Sequence, residues 1–566
     1  MEGITGVVPK GALNILIGGE AGQGLVTVGR LLSKILVRQG FHIVVTQDYQ
    51  SRIRGGHNSF RIRASVSEIA SPEEAVDLLV AFDANTIEIY KHSLRDGGFI
   101  LAEKKFACDH GRCLAIPYDE LAGGARYENI VALGISCSLL GLPKEAAAKA
   151  VESAFGRKDV SVVEANEAAL ARAYEWNGDR RIEGPGKARP CASCVMLDGN
   201  EAIALGALSA GLKFYCFYPM TPSTSIALTL AAHSKKMGIV VEQVEDEIAA
   251  VNMAIGASYA GAPAMVGTSG GGFALMVEGV SLAAMTETPI VIVVSQRPAP
   301  ATGLPTRTEQ ADLELVLHAG HGEFPRAIFS PGTVEQCFHL ARRAMFLAEK
   351  SQGPVFLLTD QFLADSCRSV EPFDIAALEP VKPGVDPALI KGDYLRHRFT
   401  ADGISPRLLP GASEHLVVTD SDEHTEDGHL TEDLVVRKRM VEKRAAKMSA
   451  IMAEVEAPSY AGDDDPDLLM VCWGSTKGVA EETVSILRAK GRKAAVMHFS
   501  QVWPLKPLQF MKRLESAKRT VAVEGNATAQ FARLLRRETG FEIKERILRY
   551  DGLPITTEYI LQGMES

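Results

Sequence analysis

Residues 12–36 read ALNILIGGEAGQGLVTVGRLLSKIL. The first eight are apolar apart from Asn14 and end in paired glycines, the pattern of a buried strand. After Gly24 the apolar residues return at helical spacing. A strand that turns through Gly18-Gly19-Glu20-Ala21-Gly22-Gln23-Gly24 into a helix opens an α/β domain. FHIVVTQ (41–47), DLLVAF (77–82) and GGFILAE (97–103) supply further strands. NIVALGISCSLLGLPKEAAAKAVESAF (129–155) reads as two helices broken at Gly141–Pro143. The alternation predicts a parallel α/β sheet across residues 10–175.

Working outward, EWNGDRRIEGPGKARP (175–190) is polar and rich in Gly and Pro, which predicts a linker. A second α/β domain is expected over 193–375, with strands at FYCFYP, IVVEQV, PAMVGT, PIVIVVS and PVFLLTD and a helix at EIAAVNMAIGASYAG. Residues 376–460 form a charged connecting segment. Within it DSDEHTEDGH (420–429) lacks the oxygen spacing of a calcium loop and predicts a solvated turn. VVRKRMVEKRAAKMSAIMAEV (435–455) predicts a surface helix with interspersed charges. A third α/β domain follows over 461–566, with strands at LLMVCWGS, KAAVMHFS and TVAVEGN. The fold class is therefore α/β, with three α/β domains and a charged connection.

The 566 residues carry a net charge of −10, which argues against nucleic acid as a partner. No apolar run reaches the ~20 residues that cross a bilayer, and the N-terminus lacks the basic-then-apolar plan of a secretory signal. A cytoplasmic chain without membrane association is expected. The 9 cysteines, an odd number, argue against a disulfide framework. The pairs Cys108/Cys113 and Cys191/Cys194 are read as reduced thiols rather than metal ligands, since a metal or cluster site usually needs four ligands.

Several turns end strands and carry chemistry. In the first, Gly22 and Gly24 can bring backbone N–H groups to an anion, or simply make a tight packing turn; the spacing is not that of a dinucleotide fingerprint. Arg52, Arg54, Arg61 and Arg63 alternate, so on a strand they share one face, either for phosphates or as a solvated basic edge. Tyr218-Pro219-Met220-Thr221-Pro222-Ser223 ends a strand, with Thr221 placed as a helix cap and Pro222 as the first helical residue. In Glu242-Gln243-Val244-Glu245-Asp246-Glu247, Glu247 is pressed against the apolar helix that follows, so burial raises its pKa; carboxylates favoured by a helix start are the plainer reading. Thr268-Ser269-Gly270-Gly271-Gly272 permits close backbone approach. Arg307, flanked by Thr306 and Thr308, can fork onto a carboxylate or pair with Glu309.

The order YPMTPS, EQVEDEIAA, GTSGGGFALM, GLPTRTEQADL resembles the alpha subunit of 2-oxoacid:ferredoxin oxidoreductases. GGEAGQG with SRIRGGHNSFRIR resembles that family's gamma domain, here fused ahead of alpha, and the likeness continues through FTADGISPRLLPG, EHTEDGH and VEGNATAQ. The resemblance implies a CoA-associated gamma domain (10–175), a thiamine-diphosphate pyrimidine-binding domain (193–375) and a transketolase C-terminal-like domain (461–566). It implies that Glu247 contacts N1′ of the aminopyrimidine, with Glu245 as rival. Tyr218, Pro219 and Thr221 would line the cofactor, Thr221 would also reach the substrate carboxyl, and Arg307 would bind a substrate carboxylate. Glu247, Thr221 and Arg307 are thus the expected catalytic set, and Gly22, Gly24, Arg52 and Arg54 are expected to help hold CoA. It also implies oxidative decarboxylation of a 2-oxoacid to acyl-CoA and CO₂ with reduction of ferredoxin.

The chain has no Gly-Asp-Gly motif followed by Asn, so Mg²⁺, the cofactor diphosphate and a [4Fe-4S] cluster are expected on a separate beta subunit, in an (alpha-beta)₂ heterotetramer. The gamma–alpha order favours 2-oxoglutarate over branched-chain 2-oxoacids or pyruvate. A non-catalytic assembly subunit and an NAD dehydrogenase built on the first glycine turn remain as alternatives.

Overall fold

The computed structural model describes residues 11–49, 56–106, 112–124, 127–156, 158–184, 186, 188–191 and 193–565. The chain divides into two compact units, residues 1–197 with 366–373 and 556–566, and residues 198–365 with 374–555.

The first unit is built on an eight-stranded sheet. Its order is Arg112–Ile116, Leu94–Glu103, Val76–Ala81, Ala12–Glu20, His57–Ser65, His42–Asp48, Cys367–Val370, Val195–Leu197. The apolar face of the Leu25–Arg38 helix (Val28, Leu31, Leu32, Ile35) is buried against Ile15, Ile17 and Phe60 of the sheet. The sheet is mixed, which corrects the expectation of a parallel one: Ala12–Glu20 runs parallel to Val76–Ala81 but antiparallel to His57–Ser65. His57–Ser65 is also antiparallel to His42–Asp48. Only residues 49–56 separate those two strands, too few for a crossover helix, so the chain must return beside itself.

Arg61 and Arg63 do share a face, as the alternation predicts, but both are used within the domain. Arg63 is buried, donates to the Ser71 carbonyl at 2.9 Å and pairs with Glu73 at 3.4 Å. Arg61 lies over the Tyr90 ring and donates to the Glu74 carbonyl. Cys191 and Cys194 are joined in a disulfide, where the composition predicts reduced thiols. A separation of three residues leaves their Cα atoms 5.5 Å apart, within bonding range. Cys108 lies outside the described residues.

The second unit holds a seven-stranded and a five-stranded sheet. The larger runs Gln501–Trp503, Ala327–Phe329, Pro354–Asp360, Ile290–Gln296, Ala264–Thr268, Phe214–Phe217, Val240–Gln243. All pairings are parallel except that of Gln501–Trp503, a strand of the third predicted domain that closes the edge of the second domain's sheet. Ile290–Gln296 and Pro354–Asp360 are buried at every residue, their apolar runs covered on both faces of the parallel sheet and their polar carboxyl ends buried as well. One apolar core joins this sheet to the smaller one, with Val266 and Ile292 in the same cluster as Val471, Phe499 and Phe531. No helix among the described residues is long and apolar enough to cross a membrane.

The charged connection is not the solvated excursion its composition predicts. In the Leu434–Ala453 helix the buried side chains are Met440, Lys443, Arg444, Lys447 and Ile451, a largely cationic stripe. Lys443 and Lys447 both reach the carboxylate of Glu287, which is fully buried at 0% exposure (Lys443 Nζ to Oε1 at 2.6 Å, Lys447 Nζ to Oε2 at 2.5 Å). His397 Nδ1 donates to the same carboxylate at 3.1 Å, and Arg396 donates to the Glu287 carbonyl at 2.6 Å. Burial alone would push the Glu287 carboxyl up; Lys447 and Lys443, with the His397 hydrogen bond, outweigh it and hold the group well below the usual carboxylate range. Burial in turn lowers Lys447 to about 7 against the pull of Glu287.

His424, within the predicted solvated turn, is buried against His397 with ring centroids 4.0 Å apart, and Glu423 pairs with Arg437 and Arg444. Glu287, His397 and His424 lie close enough to share a cation. The two ammonium groups on Glu287 already supply its counter-charge, so the cluster is a structural clamp.

Candidate functional site

Every chemistry-bearing turn of the second unit leaves the carboxyl end of a strand in the larger sheet, the edge where open α/β sheets bind ligands. Phe214–Phe217 leads into Tyr218–Ser223, Val240–Gln243 into Glu247, Ala264–Thr268 into Ser269–Gly272, and Ile290–Gln296 into the long loop that carries Arg297 and Arg307.

Glu247 is the first residue of the Glu247–Tyr259 helix, behind Asp246, whose side chain caps the helix by accepting from Ala249 N at 2.7 Å. Positions 247, 250, 251 and 254 share one face, and all four are buried. Glu245 and Asp246 are exposed, whereas Glu247 is only 3% exposed. Its Oε1 is buried without a hydrogen-bond partner. Burial raises the carboxyl's pKa, the nearby Asp246 charge adds to the rise, and a backbone N–H opposes it.

Gly270 and Gly272, at the start of the Gly270–Met285 helix, explain how carboxyls approach so closely. A Cβ on Gly272 would collide with Thr268 Oγ1 and Glu247 Oε1, and one on Gly270 with the carboxylate of Asp312. Thr268 Oγ1 also touches the Met220 sulfur at 3.9 Å, which ties the Tyr218–Ser223 turn to the same place.

Thr221 is not a helix cap. The helix begins at Thr224 behind Ser223, and no side chain caps it. The reason lies in two side chains that take the preceding carbonyls. Asn200 Nδ2 donates to the Pro222 carbonyl at 2.8 Å, and Arg297 Nη1 donates to the Thr221 carbonyl at 2.8 Å. Tyr218 and Pro219 are exposed beyond the strand end, and Thr221 is half-buried.

Arg307 is half-buried on a loop stapled to the smaller sheet's domain: Thr308 N donates to the Gly552 carbonyl, Gln310 N to Gly525, and Gln310 Nε2 to Trp473. The structure thus gathers Met220, Thr268, Gly272 and Glu247 by direct approach and joins Thr221 to them through its turn. It places Arg307 on the same strand edge without a direct contact to Glu247. Gly22 and Gly24 belong to the first unit, where both adopt left-handed φ of 103° and 83° and turn the chain into the Leu25–Arg38 helix. Gln23 closes that turn by accepting from Glu20 N at 2.7 Å. Arg52 and Arg54 lie outside the described residues.

Asp312 was missed by sequence reasoning; it ends the polar loop TGLPTRTEQAD directly before the Leu313–His318 helix, where an acidic residue reads as an ordinary helix start. It is buried, accepts no hydrogen bond at Oδ2, and its N–H donates to Gln296 Oε1. Burial, partly opposed by Arg297, lifts its carboxyl to about 6, and burial with the Asp312 charge lifts Glu309 to about 7. A carboxyl whose folded pKa is raised contributes stability that is complete below the ordinary value of 3.8 and is lost as pH rises through about 6. Asp312→Asn removes that loss. The variant's unfolding midpoint relative to the unsubstituted chain should therefore rise between pH 4 and pH 7.5, by the equivalent of up to about 3 kcal/mol. Parallel unfolding curves at both pH values would show that Asp312 does not titrate in this range.

An orphaned carboxyl and a glycine cradle at the carboxyl edge of a parallel sheet have the design of an enzyme's ligand site. Comparison with known proteins gives the same class. A family model described as "Pyruvate flavodoxin/ferredoxin oxidoreductase, thiamine diP-bdg" matches residues 205–443, and "Pyruvate ferredoxin/flavodoxin oxidoreductase" matches residues 14–176. The "2-oxoacid:ferredoxin oxidoreductase subunit alpha" of Sulfolobus sp is 32% identical over 98% of this chain and 96% of its own length. The "2-oxoglutarate oxidoreductase subunit KorA" of Mycobacterium tuberculosis is 28% identical over 92% of this chain and 86% of its own. The solved 2-oxoglutarate:ferredoxin oxidoreductase from Magnetococcus marinus, with 2-oxoglutarate, coenzyme A and succinyl-CoA bound, superposes with a TM-score of 0.90 at 29% identity, covering 98% of this chain and 99% of that one. The chain belongs to the 2-oxoacid:ferredoxin oxidoreductase alpha-subunit family.

Proposed function

We propose that this chain is the fused gamma–alpha subunit of a 2-oxoglutarate:ferredoxin oxidoreductase that forms succinyl-CoA and CO₂ and reduces ferredoxin. The observation that carries the reading is Glu247 Oε1, buried and unpartnered at the carboxyl edge of a parallel sheet. Such a group costs stability unless something hydrogen-bonds it, and the aminopyrimidine of thiamine diphosphate offers the nitrogen it lacks. The bound cofactor supplies the thiazolium chemistry that cleaves a 2-oxoacid next to its carbonyl.

The chain's own residues have separate tasks. Glu247 holds or releases a proton at the pyrimidine nitrogen. Burial raises its pKa above the ordinary carboxyl value, which favours the proton-holding form. Thr221 offers its hydroxyl at the reacting end, and Arg307 offers a guanidinium to a substrate carboxylate. Gly22, Gly24, Arg52 and Arg54 are assigned to CoA.

The pyrimidine end fits the residues present. The diphosphate end has no matching motif in this sequence, which is why Mg²⁺, the diphosphate and a [4Fe-4S] cluster are assigned to a beta partner in an (alpha-beta)₂ assembly. The preference for 2-oxoglutarate rests on the substrate named for the Magnetococcus marinus structure and for the Mycobacterium tuberculosis relative.

The test is co-expression with the beta-chain gene and an assay of CoA-dependent viologen reduction with 2-oxoglutarate, pyruvate and branched-chain 2-oxoacids. The highest kcat/KM is expected with 2-oxoglutarate. A higher value with another acid would reassign the substrate, and no CoA-dependent reduction with any of them would overturn the reading.

A further inference from the structure

We propose that Arg297 is a positioning residue of this site: its hydrogen bond to the Thr221 carbonyl holds the Tyr218–Ser223 turn, and with it the Thr221 hydroxyl, in register with Glu247. The inference rests on the assignment of Thr221 and Glu247 to the cofactor site.

The sheet order makes the contact informative. Ile290–Gln296, which Arg297 follows, is two strands away from Phe214–Phe217, which leads to Thr221, and Ala264–Thr268 lies between them. Two strand spacings are about 10 Å, so the Arg297 side chain reaches across the end of the middle strand, where that chain is Ser269-Gly270-Gly271-Gly272. The glycines leave this path unobstructed by side chains.

The turn needs such a tether. The first helical bond after it runs from Ile226 N to the Ser223 carbonyl, so the helix does not use the Thr221 carbonyl. Met220 accepts both the Ser223 N–H and the Ser223 hydroxyl. The buried Asn200 fixes the far side, donating to the Pro222 carbonyl and to Ser225 Oγ at 2.7 Å. Arg297 thus completes a two-sided clamp, with Asn200 on Pro222 and Arg297 on Thr221.

Asp312, which the Gln296 side chain fixes through the Asp312 N–H and which is pressed against Gly270, is near enough for its charge to act on Arg297. Burial lowers the Arg297 pKa and the Asp312 charge opposes that shift, so the two groups feel each other electrostatically. One guanidinium therefore links the end of the Ile290–Gln296 strand to the Tyr218–Ser223 turn.

The test is a double-substitution cycle on the assembled enzyme, together with amide hydrogen exchange of residues 218–224. Arg297→Met keeps the aliphatic stem and removes the donors. It is expected to lower kcat by about 10- to 100-fold, with a much smaller change in KM, and to speed exchange at 218–224 several-fold while the core strands stay protected. Arg297→Lys, which restores one donor, should recover part of both effects. Because Arg297 acts through Thr221, Thr221→Val/Arg297→Met should be little slower than Thr221→Val alone.

Additive losses in the cycle, or unchanged exchange at 218–224 in Arg297→Met, would overturn the proposal while leaving the enzyme's function intact. If Arg297→Met fails to assemble, Arg297→Lys decides: exchange and kcat between those of the unsubstituted enzyme and of Thr221→Val support the clamp, and values identical to the unsubstituted enzyme's in both overturn it. Faster local exchange in an enzyme that oxidises no 2-oxoacid would uphold the clamp and sink the functional reading instead.

Discussion

Glu247→Gln is expected to lower CoA-dependent 2-oxoacid oxidation by the assembled enzyme by about 10²- to 10⁴-fold, the span of a positioned proton-transfer group. The substitution keeps the shape and nearly the volume of the side chain, so the helix start, the Asp246 cap and the packing against Gly272 persist. What changes is chemistry: an amide neither takes nor gives up a proton. Assembly and the unfolding midpoint should be close to those of the unsubstituted enzyme, and slightly better where the buried, raised-pKa carboxyl is costly at neutral pH. The measurement is kcat with saturating thiamine diphosphate and 2-oxoacid. Activity within a factor of a few of the original would remove Glu247 from the chemistry. Glu245→Gln serves as the internal comparison; exposed and off the buried face, it should leave kcat nearly unchanged.

The second large effect is on stability. Glu287→Leu leaves Lys443 and Lys447 buried without their shared anion and deprives His397 of its partner. Breaking a buried ion pair from one side costs about 3–5 kcal/mol, so the variant should unfold at markedly lower denaturant or accumulate poorly. The discriminating variant replaces all three charges at once, Glu287→Leu with Lys443→Met and Lys447→Met. Exchanging the whole cluster for apolar side chains also removes the desolvation cost, so most of the lost stability should return. A triple variant as unstable as the single one would mean that the cluster contributes through geometry at the Thr286–Thr288 turn rather than through charge. Glu287 does have a positive φ of 51° there, so the backbone of this turn is unusual for a residue with a side chain.

The central strands of the second unit's larger sheet were legible because they obey a single rule. Ile290–Val294 and Pro354–Leu358 are unbroken apolar runs followed by polar residues, too short for a buried core helix. Glu247 was legible for a related reason: three acidic residues precede one apolar helix, and only the third falls on the face shared with Ala250, Val251 and Ala254.

What escaped the sequence were long-range polar partners. The stripe Met440, Lys443, Arg444, Lys447, Ile451 repeats at helical spacing and marks a buried face, but the charges disguise it until Glu287, more than 150 residues away, is seen to meet them. Arg297 and Asp312 look like ordinary polar-loop residues; their significance comes from the sheet order, which brings Arg297 over the Gly270–Gly272 turn to Thr221. The Thr221 cap was misread because Ser, Thr and Pro signal a helix start locally, while Arg297 and Asn200 claim the carbonyls from outside. The antiparallel His57–Ser65 strand was hidden by a rule of alternation that ignores how short its connection is.

In the proposed function the pyrimidine of thiamine diphosphate completes the unpaired carboxyl of Glu247. The structure of this chain assembled with its beta partner and thiamine diphosphate decides it. Glu247 Oε1 should then lie about 2.6–3.2 Å from a pyrimidine ring nitrogen, within hydrogen-bond reach. A cofactor bound elsewhere, or a pyrimidine ring that leaves Glu247 still unpartnered, would contradict it.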